Sequence, residues 1–519
     1  MNSNKYWQAA VMTTVVASAG VYMPAAFAQA QPTNADLARL VQQQSEQIKR
    51  LNARLDAMEH QQPATSSNQV TQRPASGQRD AIQPGALVAD APATGNQPAP
   101  STSTDSMTAM RQDIDELKKK NIKVDWSSGT PEFSSADEQY TFGIGGRIQY
   151  DLSSTHGSRF DSDADQASLN RNITGSEFRR LRLAAEGQLT DPILYKLEVD
   201  FAGSDVGLRD VYIAGKKKFE LGEGVVYLGS KFSDSGMDGR TSSKWTWFVD
   251  RNTVSNDIDG VPGAYNIGVS SAFYGNHDDH ISFAVTKGST SDSNKSSNNF
   301  LVRSRAHWDP VNTGNTIVHV GANGYFEDFD RQRQPTFTDN SVIAGHYNGN
   351  LRVVGPVLPA DTSTSYGFEL AGLTGPFAGG AEYGRLDVDA RNGGDAHLDA
   401  YSAQVGVSLT GEQFGYSTKQ GVWTPPKIEN PVNRGGIGAW QLMARYGAIS
   451  SGGDFAGGSG HGTTLGVSWY LNNYMRVLLN DTLWQTNNRV PLVGNVDPSS
   501  GYYGHDDGNT INARAQIVF

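Results

Sequence analysis

Eight arginines recur in segments where apolar and polar residues alternate: Arg147, Arg180, Arg182, Arg303, Arg305, Arg445, Arg476 and Arg514. A guanidinium binds the oxygens of phosphate or carboxylate bidentately and keeps its charge at any physiological pH. A row of such groups, each holding a small oxyanion weakly, passes it on without trapping it. Lys231, Arg240, Lys244 and Arg251 frame the segment 234–263, where lysine would supply a mobile point charge at a constriction. Asp151, Glu186, Glu198, Asp200, Glu369 and Glu382 lie in the same alternating segments and offer partners that would neutralise part of the row. No catalytic residue stands out, since no Ser/His/Asp order is evident. Gly143 to Gly146 sit inside an alternating segment, not at the opening of a helix as a nucleotide loop requires. Asp161, Asp163 and Asp165 begin like a calcium loop, but Gln166 and Asn172 occupy the positions that need Gly and Glu. His277 and His280 with the aspartates between them could bind a metal but fall at a short turn. No metal, cofactor or nucleic-acid partner is expected.

Strands must position these cations. In the final segment Ile511, Ala513, Ala515, Ile517 and Phe519 share one face, while Asn512, Arg514 and Gln516 share the other. Period two means a strand with one apolar and one polar side. Sixteen such segments run from 140–151 to 509–519, the even number that a single-chain bacterial membrane barrel requires. Connections alternate in length: 189–192, 275–278 and 472–473 are short, whereas 152–176, 234–263, 329–363 and 485–508 are long. The segment 411–436 breaks the rule by being long at the short end. Apolar neighbours fix which way each arginine points. With Leu181 and Leu183 outward, Arg180 and Arg182 face in; Val302 and Ala306 place Arg303 and Arg305 inside; Trp440, Leu442 and Ala444 do the same for Arg445. An arginine on the lipid face near the midplane would cost ~2–4 kcal/mol.

The expected architecture is therefore a 16-stranded antiparallel transmembrane β-barrel over 124–519, preceded by a helical coiled-coil segment. A mean hydropathy of −0.48 excludes a bundle of membrane helices but not a barrel, in which only alternate residues meet lipid. The chain has 57 glycines and 20 tyrosines, which suit a sheet-rich protein with aromatic girdles, and no cysteine. Residues 1–28 read as a signal peptide, with an apolar stretch after Lys5 and the Ala26-Phe27-Ala28 cleavage pattern. Within 29–60, Leu37, Val41, Gln44, Ile48, Leu51, Leu55 and Met58 keep heptad spacing, which predicts a periplasmic coiled coil. A Pro/Gln/Ser/Thr-rich linker follows over 61–105, then a short second helix over 106–123.

Several blocks resemble the phosphate-selective porin O/P family. They include Gly146 to Asp151, Glu177 to Leu183, Leu228 to Phe232 and Phe248 to Arg251. Glu369 to Gly372, Gly438 to Leu442, Trp469 to Leu471 and Arg514 to Phe519 continue the match in order. Departures occur at Val249 and Asp250, where the family usually has Met and Glu, and at Asn266, where arginine is common. The resemblance implies a trimeric outer-membrane pore for anions in a Gram-negative bacterium, with phosphate or polyphosphate as substrate. It further implies that Phe519 is the end read by the barrel-assembly machinery. Two other functions fit the chain: a general or solute-specific porin for sugars or small acids, and a trimeric tether reaching the cell wall through the N-terminal helix.

Overall fold

The computed structural model describes residues 122–519, except 127–128, 160–169, 204–205, 261, 290–298, 330–335, 342, 455–456 and 492–501. The expected signal peptide, coiled coil and linker lie outside the described residues, as does the second helix up to residue 121. Lys123, the last position of that expected helix, instead opens a short strand, Lys123–Asp125.

Sixteen antiparallel strands close a barrel. The first eight are β1 (Thr141–His156), β2 (Thr174–Thr190), β3 (Ile193–Asp200), β4 (Gly207–Phe219), β5 (Gly222–Phe232), β6 (Tyr265–Gly275), β7 (Asp279–Ser289) and β8 (Phe300–Asn312). The others are β9 (Thr316–Asp328), β10 (Val353–Thr374), β11 (Phe377–Ala390), β12 (Asp395–Ser408), β13 (Ala439–Gly453), β14 (Ser459–Tyr470), β15 (Met475–Pro491) and β16 (Tyr502–Val518). Each pairs with its chain neighbour, and β16 returns to β1 from Asn509↔His156 to Val518↔Arg147. Every alternating segment of the sequence is a strand. β10 starts at Val353, earlier than alternation alone suggested, because its first turns form a hairpin with the strand Thr336–Ser341.

The C-terminus seals the seam. Phe519 accepts a hydrogen bond from the Gly146 amide at 2.6 Å and donates one back at 3.2 Å. Its ring covers Gly146, where a Cβ would come within 2.7 Å of the ring. Below that point β16 has ended, and the strand Glu132–Ser134 takes its place along β1.

The outward residues form an apolar belt, with Leu183, Leu228, Leu370, Val405, Leu465 and Leu479 all exposed. So large a continuous apolar surface is untenable in water and suits lipid. Trp440 and Trp469 stack at 5.0 Å near one rim, and both indoles donate to the Ile437 carbonyl. Toward the opposite rim the pattern inverts on β11 and β12: Leu386, Val388 and Leu398 are buried inside. Arg385 faces outward and pairs with Asp387 at 2.9 Å and Asp399 at 3.2 Å. That inversion marks where the apolar belt ends.

Turns at one end are short: 191–192, 220–221, 276–278, 313–315, 375–376 and 471–474. The segment 409–438 at this short-turn end is the exception, and its length has a physical cause. It folds back into the barrel as a small hairpin, Gly415–Ser417 with Val422–Thr424. From the other end the loop 233–264 also turns inward, carrying α1 (Met237–Arg240) and α2 (Thr253–Asp257). The two meet where Trp247 packs on Trp423 and Phe414, with ring centroids 4.7 and 4.6 Å apart. A third loop, 329–352, brings Ile343, Ala344 and Leu351 onto Leu386, Val388, Leu398 and Ile258. Each fully buried Leu or Ile contributes about 1.5–3 kcal/mol. The β10–β13 side of the lumen is thus filled by a hydrophobic core, which leaves open space along β1 to β6.

Leu183 lies mid-strand on the lipid face, so Leu183→Arg should destabilise the barrel by roughly 2–4 kcal/mol in urea unfolding from lipid vesicles. An unchanged midpoint would mean that this face does not meet hydrocarbon.

Candidate functional site

Irregular backbone crossing a lumen leaves carbonyls and amides that need partners. The barrel wall supplies them to the loop 233–264 from many strands. Arg476 donates to the carbonyls of Thr246 at 2.8 Å and Trp247 at 3.3 Å. Arg445 reaches the Asp250 carbonyl at 2.9 Å, and Arg303 the Asp259 carbonyl at 3.0 Å. Gln149 and Gln516 hold the carbonyls of Ser243 and Lys244 at 2.8 and 2.9 Å, while Asn480 accepts from the Val249 amide at 2.7 Å. Across the lumen, the Glu382 carboxylate accepts from the Asp238 amide at 3.3 Å and from the Asn252 side chain.

The loop so held forms one wall of a cavity of about 840 Å³ whose other wall is the inner face of β1 to β6. Of the residues singled out by sequence, Arg147, Arg180, Arg182, Arg303, Lys231, Arg240 and Lys244 line it, as does Arg251. The other four do not. Arg445 and Arg476 brace the loop as described, and Arg514 pairs with Asp151 at 2.6 Å. Arg305 is fully buried, forking onto Glu369 at 2.9 and 2.7 Å and onto the carbonyls of Gln420 and Gly421 at 2.8 and 2.7 Å.

Strict alternation misses Arg179. In the β1–β2 ladder Gln149 faces Arg180 and Tyr150 faces Phe178, so Arg179 is the extra residue of a β-bulge. A bulge re-aims a side chain that alternation would send outward, and Arg179 joins Arg180 on the cavity wall. The sequence carried a signal for this. Phe178 and Leu181 are both apolar anchors but stand three apart, which no unbroken strand permits on one face.

Charge in the cavity is unevenly paired. Eleven cationic side chains line it against five acidic ones. Glu198 holds Arg182 at 2.8 Å and Arg147 at 3.2 Å, and Asp200 holds Arg182 at 2.8 Å and Arg209 at 3.2 Å. Lys231 and Arg240 share Asp234. Arg180 rests on the Gln149 side-chain oxygen at 2.9 Å. Among the described residues, Arg179, Arg180, Lys244, Arg251 and Arg303 have no ion-pair partner, and of these Arg251 and Arg303 are held by backbone carbonyls. Burial, reinforced by the charges of Arg147 and Lys196, pulls the Lys244 amine down to about 8. His346 lies behind this wall and joins loop 329–352 to Asp250 at 2.8 Å and to Glu177. Burial opposes its charge, but the two carboxylates outweigh burial and hold the imidazole above its ordinary value.

At the inserted segment 409–438, the tip is gripped through its backbone. Besides Arg305, His307 approaches the Thr418 carbonyl at 2.8 Å. Gly421, with φ of +59°, lies so close to His307 that a Cβ would sit 2.5 Å from the ring. Lys419 pairs with Glu223 at 2.8 Å and lies over Tyr274.

A family model for the phosphate-selective porins O and P matches residues 142–519. Porin O of Pseudomonas aeruginosa is 26% identical over 434 residues, covering 76% of this chain and 92% of its own. A protein of Caulobacter vibrioides without assigned function is 27% identical over 454 residues, covering 86% of this chain and 85% of its own. Among solved structures, the outer-membrane protein OmpT of Vibrio cholerae aligns with a TM-score of 0.46 at 15% identity, over 73% of this chain and 98% of its own.

Replacing Arg305 removes the bidentate guanidinium from the buried Glu369 carboxylate and leaves it His319 at 3.1 Å, so Arg305→Met should destabilise the fold by up to about 3–5 kcal/mol in unfolding free energy. Wild-type stability in that variant would show that the pair does not anchor the inserted segment.

Proposed function

The chain belongs to the phosphate-selective porin O and P family, and from that premise we infer that it passes small anions, with phosphate or polyphosphate as the substrate class. As a member of that family with a closed barrel, it is an outer-membrane porin, a channel rather than an enzyme. The observation that carries the anion reading is the cavity wall, where cations outnumber carboxyl groups and where Arg179, Arg180 and Lys244 meet no carboxylate among the described residues. Guanidinium pairs bind an oxyanion through charge-assisted hydrogen bonds, while several adjacent sites let it leave again. Arg147, Arg182, Arg303, Lys231 and Arg240 set the field around that path, and Arg305, Arg445, Arg476 and Arg514 hold the walls in place.

The short-turn end would face the periplasm, together with the N-terminal segment and Phe519. The heptad over 29–60 supports an oligomeric coiled coil, and the family supports a homotrimer of barrels, which such a coiled coil with cell-wall contact would serve. One observation favours a less selective porin: the network of Arg147, Arg182, Glu198 and Asp200 neutralises much of its own charge.

In planar bilayers, phosphate should block chloride current through the wild-type pore. A charge-assisted hydrogen bond is worth about 1.5–3 kcal/mol, so Arg180→Gln should weaken the block roughly tenfold or more. Chloride current indifferent to phosphate contradicts the phosphate reading while leaving the porin reading intact. Lys244 carries its charge below about pH 8 and loses it above. Anion preference should therefore fall between neutral and mildly alkaline pH, and Lys244→Arg should remove that dependence; a flat wild-type profile would exclude Lys244 from the path.

A further inference from the structure

The inner wall at the short-turn end holds a group of residues that the anion path does not use. We propose that His307, Asp309 and His319 form a binding site for a divalent transition-metal ion of the zinc type, placed beneath the tip of the inserted segment 409–438. A ring nitrogen of each histidine and a carboxylate oxygen of Asp309 lie within 4.8 Å of one another. All three residues are buried, at 4%, 4% and 0% exposure for His307, Asp309 and His319.

A second bulge builds the group. Trp308 faces Val320 and Val311 faces Val318, so Asp309 and Pro310 together oppose His319. This brings the Asp309 Oδ1 and His319 Nδ1 atoms to 3.3 Å. Two ligands at about 2.0–2.1 Å from a tetrahedral zinc ion stand roughly 3.3 Å apart. The second oxygen of Asp309, Oδ2, is buried and has no hydrogen-bond partner among the described residues. A bound cation would satisfy it.

The surroundings have the form of an outer shell. His319 turns Nε2 toward Glu369 Oε2 at 3.1 Å, leaving Nδ1 for an ion. Glu369 is in turn fixed by Arg305 at 2.7 Å. Carboxylate–histidine pairs of this kind set the tautomer and orientation of metal-ligating imidazoles. Tyr416 Oη stands 2.7 Å from both His319 Nδ1 and Asp309 Oδ1, bridging them by hydrogen bonds in the metal-free arrangement. On metal binding its phenol would yield or become a fourth ligand. Two imidazoles and one carboxylate select zinc, nickel or copper over calcium and magnesium, which take oxygen ligands. With the phenol of Tyr416 as a ligand, the ion would fasten the inserted segment to β8 and β9.

The test uses full-length protein, stripped with a chelator, then equilibrated against buffered free zinc, with bound metal read by elemental analysis. The expected result is one zinc per chain at micromolar free zinc. His319→Ala should abolish binding over that range, and Glu369→Gln should weaken it roughly ten- to a hundredfold. If His319→Ala loses the heat-resistant mobility of a folded barrel, Asp309→Asn replaces it, with the same loss expected. Wild-type protein that retains no zinc, or a folded variant that binds as wild type does, overturns the proposal.

Discussion

The pore depends on side chains of the barrel wall grasping the backbone of the loop 233–264. That loop carries little regular structure, so its amides and carbonyls would be costly to bury without partners. Arg445, Arg476, Gln149, Gln516 and Asn480 meet them from five positions around the wall. The loop is therefore part of the wall rather than a strand of chain lying in a channel. Without these contacts the lumen would be a wide aqueous tube, as barrels of this strand number usually are.

Filling and charge then divide the lumen between them. On one side, apolar residues of β10 to β13 pack against loops as the core of a soluble domain does. On the other, β1 to β6 retain a cationic face that the loop turns into a cavity. Arginine serves both purposes through the same chemistry. Where its donors meet carbonyls and carboxylates on all sides, as in Arg305, it is mortar. Where a bulge leaves it facing open space, as in Arg179, it is free to meet a solute.

Alternation in the sequence was enough to locate all sixteen strands and to turn Arg147, Arg180, Arg182 and Arg303 inward, because a one-residue slip would put charges into lipid. It was not enough to separate the arginines that line the cavity from those that serve as mortar. Whether a lumenal arginine is spent depends on which loop reaches it, and loop placement follows from contacts distant in sequence. Arg476 and Trp247 are far apart in the chain, for example, yet lie within hydrogen-bond distance. The long segment 411–436 at the short-turn end was visible as an anomaly, and the structure accounts for it: Trp423 packs on Trp247 from below, and Arg305 holds Gly421. Arg179 was obscured by a different cause, since a bulge changes the period locally while leaving the residues on either side in pattern.

Inward-folded segments confine the pore to a cationic groove. The zero-current potential of the unmodified protein in a planar bilayer under a potassium chloride gradient reads that confinement. A cationic groove should bring the potential toward the chloride limit, about 59 mV for a tenfold gradient of a monovalent ion. A potential near zero, or one of the sign set by potassium, would contradict it.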